Sequence, residues 1–164
     1  MSKPSFVYVT YINSTADKVW RALTDGEITR HYWANHRNVS DWKPGSTWKH
    51  EIADNPEKVD IIGKVIENDR PNRLVVSWAS PKFAADPEQT SRVTYDIAAD
   101  GPVVRLTVTH EELQAGSNML QNISGGWPMV LSNLKSYLET GGVIPELFSR
   151  PSSRWGKATA EAAR

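Results

Sequence analysis

The chain has no cysteine, which excludes disulfides, thiolate nucleophiles and every zinc site built on cysteine. Nor has it an excess of either charge: 19 Lys and Arg stand against 19 Asp and Glu. A surface so balanced projects no broad field toward nucleic acid or an anionic membrane, and neither is expected as a partner. Long hydrophobic runs are missing as well. No segment approaches the roughly 20 apolar residues of a membrane span, and the opening MSKPSFVYVTYIN has no apolar signal core. A cytoplasmic location is the expectation, and the N-x-[ST] sequons at Asn13, Asn38 and Asn122 are then chance matches.

Motifs for chemistry are equally scarce. There is no G-x-S-x-G turn for a nucleophile and no H-E-x-x-H, while GPVVR and SGGW lack the lysine and the strand–loop–helix setting of a phosphate loop. His31 and His36 are spaced poorly for a shared helical face. Neither a metal nor a cofactor is expected.

Aromatic weight is what the chain does have, with seven tryptophans in 164 residues, a length that suits one domain with a substantial core. Phe6 to Ile12 is rich in β-branched and aromatic residues and reads as a strand. Ser14 offers an N-cap and Asp17 a first-turn carboxylate to a helix that buries Ala16, Val19, Trp20 and Leu23. A second short helix, about Glu27 to Trp33, follows Asp25-Gly26. From Asn38 to Glu112 the pattern becomes a meander of about six strands, punctuated by WKPGS, DNPEK, DRPNR, SPKFAADPEQ and AADGP.

Alternate strand residues point to opposite faces, so parity assigns the sides. Trp48, His50 and Ile52 share one face, as do Leu74, Val76 and Trp78; Val93, Tyr95 and Ile97; and Leu106, Val108 and His110. Arg92, Asp96 and Arg105 fall on the opposite, solvated face. One side of a single sheet is therefore apolar and needs a cover. The candidate is SGGWPMVLSNLKSYLETGG, where Val130, Leu131, Leu134, Tyr137 and Leu138 recur at helical spacing, with Lys135 between them on the outside. Gly141 is a natural left-handed cap. Pro128 suits a first helical turn, but 118–123 is also compatible with helix, so Gly125-Gly126 is either a true start or a break inside a longer helix. After Gly142, prolines, serines and an alanine-rich end mark a tail, either frayed or docked through Phe148 and Trp155, with a marginal helix near 157–162.

This order of elements resembles the helix-grip or START-like superfamily, also called SRPBCC or Bet v-like. INSTADKVWRALTDGEITRHYW resembles its opening strand and helix, DWKPGSTWKHEI its first hairpin, and GKVIENDRPNRLVVSW its G-x-V-x-E-x-x-P-x-x-L-x-x-x-W strand pair. SRVTYDIAADGPVVRLTVTH and GGWPMVLSNLKSYLETG complete the series. The subfamily it is most similar to is named for the C-terminal domain of the activator of the ninety-kilodalton heat-shock protein ATPase. The resemblance implies an α+β helix-grip fold: a curved antiparallel sheet of about seven strands wrapped around a long C-terminal helix, with two short helices after the first strand. It places the domain at residues 1–142 and the tail at 143–164. It implies a cavity between sheet and helix for a small, largely hydrophobic molecule, and allows a homodimer or a role in stress response. An enzyme of the cyclase or hydratase kind and a chaperone-linked interaction protein are the alternatives. Ahead of its matching domain, the co-chaperone itself carries another, and no such domain is expected in this sequence.

Parity directs Trp48, His50, Trp78, Tyr95, His110 and Trp127 into the space beneath the helix, where they either fill the core or line a ligand site. Glu67 shares parity with Gly63 and Val65, so His50, His110 and Glu67 are the candidates for acid–base chemistry, against a plain structural role for both histidines.

Overall fold

The structure is a computed structural model and describes residues 3–150. It opens with strand β1 (Phe6–Ile12), helix α1 (Ala16–Thr24) and helix α2 (Gly26–Tyr32). Six strands follow: β2 (His36–Val39), β3 (Thr47–Ile52), β4 (Asn55–Asp69), β5 (Arg73–Trp78), β6 (Ser91–Asp100) and β7 (Val103–Glu111). The long helix α3 (Asn118–Thr140) closes the series. The expected turn at SPKFAADPEQ contains two short 3-10 turns, Pro81–Phe83 and Pro87–Gln89, each opened by a proline whose fixed φ suits that position.

All seven strands form one antiparallel sheet in the order β1-β7-β6-β5-β4-β3-β2, curled into a half-barrel. The chain thus folds as the helix-grip α+β architecture that the sequence resembles. The residues of β5, β6 and β7 that parity directs inward are buried, although Val75 and Thr94 on the opposite side are buried too. Leu74, Val76, Trp78, Val93, Tyr95, Ile97, Leu106, Val108 and His110 are buried, whereas Arg73, Arg92 and Asp96 form ion pairs outside. Gly63 shows what close packing demands. It pairs with Trp48, and a Cβ there would sit 1.9 Å from the Ser77 carbonyl oxygen and 2.6 Å from Nε1 of the Trp48 indole that lies across it.

Helix α3 buries Ile123, Trp127, Val130, Leu131 and Leu134 against this face, each large apolar side chain contributing about 1.5–3 kcal/mol by leaving water. Its start resolves the open question about the glycines. The helix begins at Asn118, capped by Ser117, whose hydroxyl accepts from the Leu120 amide, so Gly125, Gly126 and Pro128 all lie inside it. Pro128 removes the amide that would bond to the Ser124 carbonyl. At the far end Gly141 adopts φ 81°, the left-handed cap.

Two local expectations are corrected. The cap of α1 is Thr15, whose Oγ1 accepts from the Lys18 amide; the Ser14 hydroxyl is buried without a partner. Lys135 is more than an exposed neighbour: its Nζ donates to the Tyr11 carbonyl and to Glu139, both at 2.7 Å, clamping α3 to β1. Beyond the helix, the Ile144 amide donates to the buried Asn133 side chain and Phe148 packs on the core. Trp155 and the helix expected near 157–162 lie outside the described residues.

Candidate functional site

The β5 strand ends in Trp78, and the side chains chosen by parity gather around it. Its ring centroid lies 5.4 Å from Trp48, 6.4 Å from His50, 5.3 Å from His110 and 5.6 Å from Trp127. Tyr95 joins through an edge-on contact with Trp127 at 6.0 Å. All six residues therefore occupy one aromatic cluster between the sheet and α3. A seventh ring went unselected at the sequence level: Trp33, just past α2, lies 4.9 Å from His50 and 5.4 Å from Trp127. The end of that short helix gave no period to read, so only the tertiary fold reveals its direction.

His110 sits in a saturated chain of hydrogen bonds. Ser91 Oγ donates to the Trp78 carbonyl at 3.1 Å, which uses its only proton. His110 Nε2 must then donate to Ser91 Oγ at 2.7 Å, leaving Nδ1 to accept from Trp127 Nε1 at 3.1 Å. The ring is neutral, and burial lowers its pKa to about 3. Both nitrogens are used, so His110 holds α3 on β7 and presents no free lone pair.

His50 differs. Asn38, its cross-strand partner on β2, donates its amide to the Leu23 carbonyl at 3.1 Å and therefore accepts from His50 Nδ1 at 2.7 Å. Burial, with the charge of neighbouring His36 second, holds the His50 imidazole well below its ordinary pKa. In that neutral form Nε2 carries a bare lone pair, and it is buried with no partner. The Trp78 indole N–H is likewise buried and unpartnered. Among the described residues only four buried side-chain polar atoms lack a partner, and two of them sit on adjacent rings of this one cluster. His36 stacks on His50 at 4.4 Å and contacts Asp60 at 2.6 Å.

Glu67 does not join them. A register irregularity between Val65 and Glu67 reverses the parity of β4, so Val65 is buried while Glu67 faces outward and pairs with Arg73 at 3.0 Å. No carboxylate of that strand bonds to His50 or His110; Asp60 on it meets His36 instead. Asn38, which orients His50, and Ser91, which orients His110, were also missed. Each is a lone polar residue on a strand, and its significance depends on which strand lies beside it. Among the described residues no group of three or more His, Asp or Glu could hold a metal, and no helix is long and apolar enough to cross a membrane.

A half-barrel gripping a long helix, with buried rings between them, defines a helix-grip protein of the START-like class. A model of the family described as activator of Hsp90 ATPase homolog 1-like protein matches residues 13–139, and the chain belongs to that family. No curated protein matches the chain. Among solved structures, the Plasmodium falciparum protein PFC0360w, described as an HSP90 activator, is 19% identical with a TM-score of 0.69, the match covering 82% of this chain and 96% of that one. ChR145 from Cytophaga hutchinsonii is 29% identical with a TM-score of 0.67, over 86% and 97%. The Aha1 dimer from Colwellia psychrerythraea is 17% identical with a TM-score of 0.68, over 84% and 98%.

Proposed function

We propose that this protein is a binding module that holds a small, largely apolar molecule among the rings between the sheet and α3. The observation that carries the reading is the unpartnered pair, His50 Nε2 and Trp78 Nε1. Leaving a buried polar group unpaired costs about 1–3 kcal/mol, so two on neighbouring rings mark a place where a polar group from outside the chain belongs. Trp33, Trp48 and Trp127 around them supply the apolar wall usual in small-molecule sites. The arrangement favours binding over acid–base chemistry, because Glu67 lies outside and His110 has no free nitrogen. Native mass spectrometry of freshly purified protein tests this. A retained small molecule, released on unfolding, is expected; a bare chain that also takes up no added apolar compound would remove the reading.

A second reading, contact with a chaperone ATPase, draws on the surface. Val7, Val9 and Tyr11 are exposed on β1, an edge strand of the sheet. The family name and the description of the Plasmodium falciparum relative bring chaperone activation to this chain as a proposal, and the Colwellia psychrerythraea relative brings a homodimer. Stimulation of purified Hsp90 by this chain, lost in Val9→Glu, would support the reading; an unchanged ATPase rate with wild type would end it.

A further inference from the structure

Two neighbouring rings in the buried cluster carry complementary unmet needs: one lone pair and one N–H. Residues His50 and Trp78 are 1% and 6% exposed, so bulk water does not serve them. Their ring centroids are only 6.4 Å apart, yet the two atoms do not bond to each other. Asn38 fixes the histidine tautomer from the far side of the ring, so Nε2 cannot become a donor without adding a charge.

A group that meets both needs must give one hydrogen and accept another. A carboxylate or a ketone only accepts, and would set lone pairs against His50. An ammonium only donates, and would leave the Trp78 N–H unmet. Either ion would also enter a site walled by Trp33, Trp48 and Trp127, where an unpaired charge is strongly disfavoured. A neutral hydroxyl does both tasks.

We infer that His50 and Trp78 form a hydroxyl-reading pair: the site takes apolar molecules bearing a neutral alcohol or phenol, which donates to His50 Nε2 and accepts from Trp78 Nε1. This rests on the ligand-binding reading above and adds the chemistry of the ligand's polar end. A trapped water has the same hydrogen-bonding capacity, so the test must separate water from ligand.

The experiment is an NMR titration of wild type, labelled with nitrogen-15 in histidine and tryptophan, with 4-methylphenol, p-xylene and 4-methylbenzoate. These probes share a ring and a methyl group and differ at one substituent. The expected result is 4-methylphenol binding roughly tenfold more tightly than p-xylene, with the anion weakest. The His50 Nε2 signal should make the large shift of a lone pair that accepts a hydrogen bond with the phenol alone, p-xylene giving only the small shifts of a nearby ring. Trp78→Phe keeps a ring, removes the donor and should erase the preference; because that variant can fail to fold, the wild-type ratio and the His50 signal stand as independent readouts. If p-xylene binds as tightly or more tightly, if the benzoate binds best, or if the His50 signal stays still, the hydroxyl inference is overturned while ligand binding survives. Uptake of none of the probes overturns both.

Discussion

The indole of Trp127 donates to Nδ1 of His110 at 3.1 Å, so the long helix is tied to strand β7 by a hydrogen bond within the core. That bond needs a neutral ring, and burial supplies one by lowering the His110 pKa to about 3.

Stability should therefore depend on pH with a known sign. An unfolded imidazole takes a proton near pH 6.5, about where the folded one is still bare. Between about 6.5 and 3 the unfolded chain holds more protons, so the contribution is complete above the upper value and is lost as pH falls through this window. His50, lowered in the same direction, adds to the effect. Urea unfolding at several pH values should show wild type losing about 1 kcal/mol per pH unit more than His110→Gln across the upper part of the window. Parallel curves would mean that His110 is not held neutral by the fold.

Gly63→Ala should be among the most damaging single-methyl additions. The new Cβ would collide with the Ser77 carbonyl and with the Trp48 indole, whose Nε1 donates to that carbonyl at 2.8 Å. Overpacking together with a broken hydrogen bond sets a loss of at least about 2 kcal/mol. A urea midpoint within error of wild type would show that the strand pair can part without penalty.

Gly125→Ala should do the opposite. The residue is helical, its φ is not positive, and a Cβ there meets nothing within 4 Å. Replacing it should raise stability by about 0.5–1 kcal/mol through helix propensity. A lowered melting temperature would point to a function for its flexibility.

On the same helix, Leu134→Ala should cost about 2–5 kcal/mol, because the side chain is wholly buried. Lys135→Ala should cost about 0.5–1 kcal/mol, since its bonds to Tyr11 and Glu139 lie at the surface. Equal urea midpoints for the two variants would contradict the placement of the helix face.

How much of this could be read from the chain alone depended on regularity. Period-two alternation in β5, β6 and β7 directed Trp78, Tyr95 and His110 inward without knowledge of their neighbours. The same rule failed at Glu67, because a bulge inserts an extra residue and carries no signature in composition. The extent of α3 stayed open because glycines and a proline, normal marks of an end, lie within a helix held by tertiary packing. Trp33 and Asn38 could not be chosen because their roles arise from contacts with α3 and β3. Asn38 looked like a chance sequon, whereas its amide orients the histidine whose other nitrogen is unmet.

The central claim is that the ring cluster beneath α3 receives a molecule from outside the chain. The most direct measurement is a fluorescence titration of wild type with N-phenyl-1-naphthylamine, a neutral apolar probe that brightens when shielded from water. One saturable site is expected, with tryptophan emission quenched in step as the probe enters among Trp33, Trp48, Trp78 and Trp127. A signal that rises without saturation, or leaves tryptophan emission unchanged, would mean that the rings only fill the core.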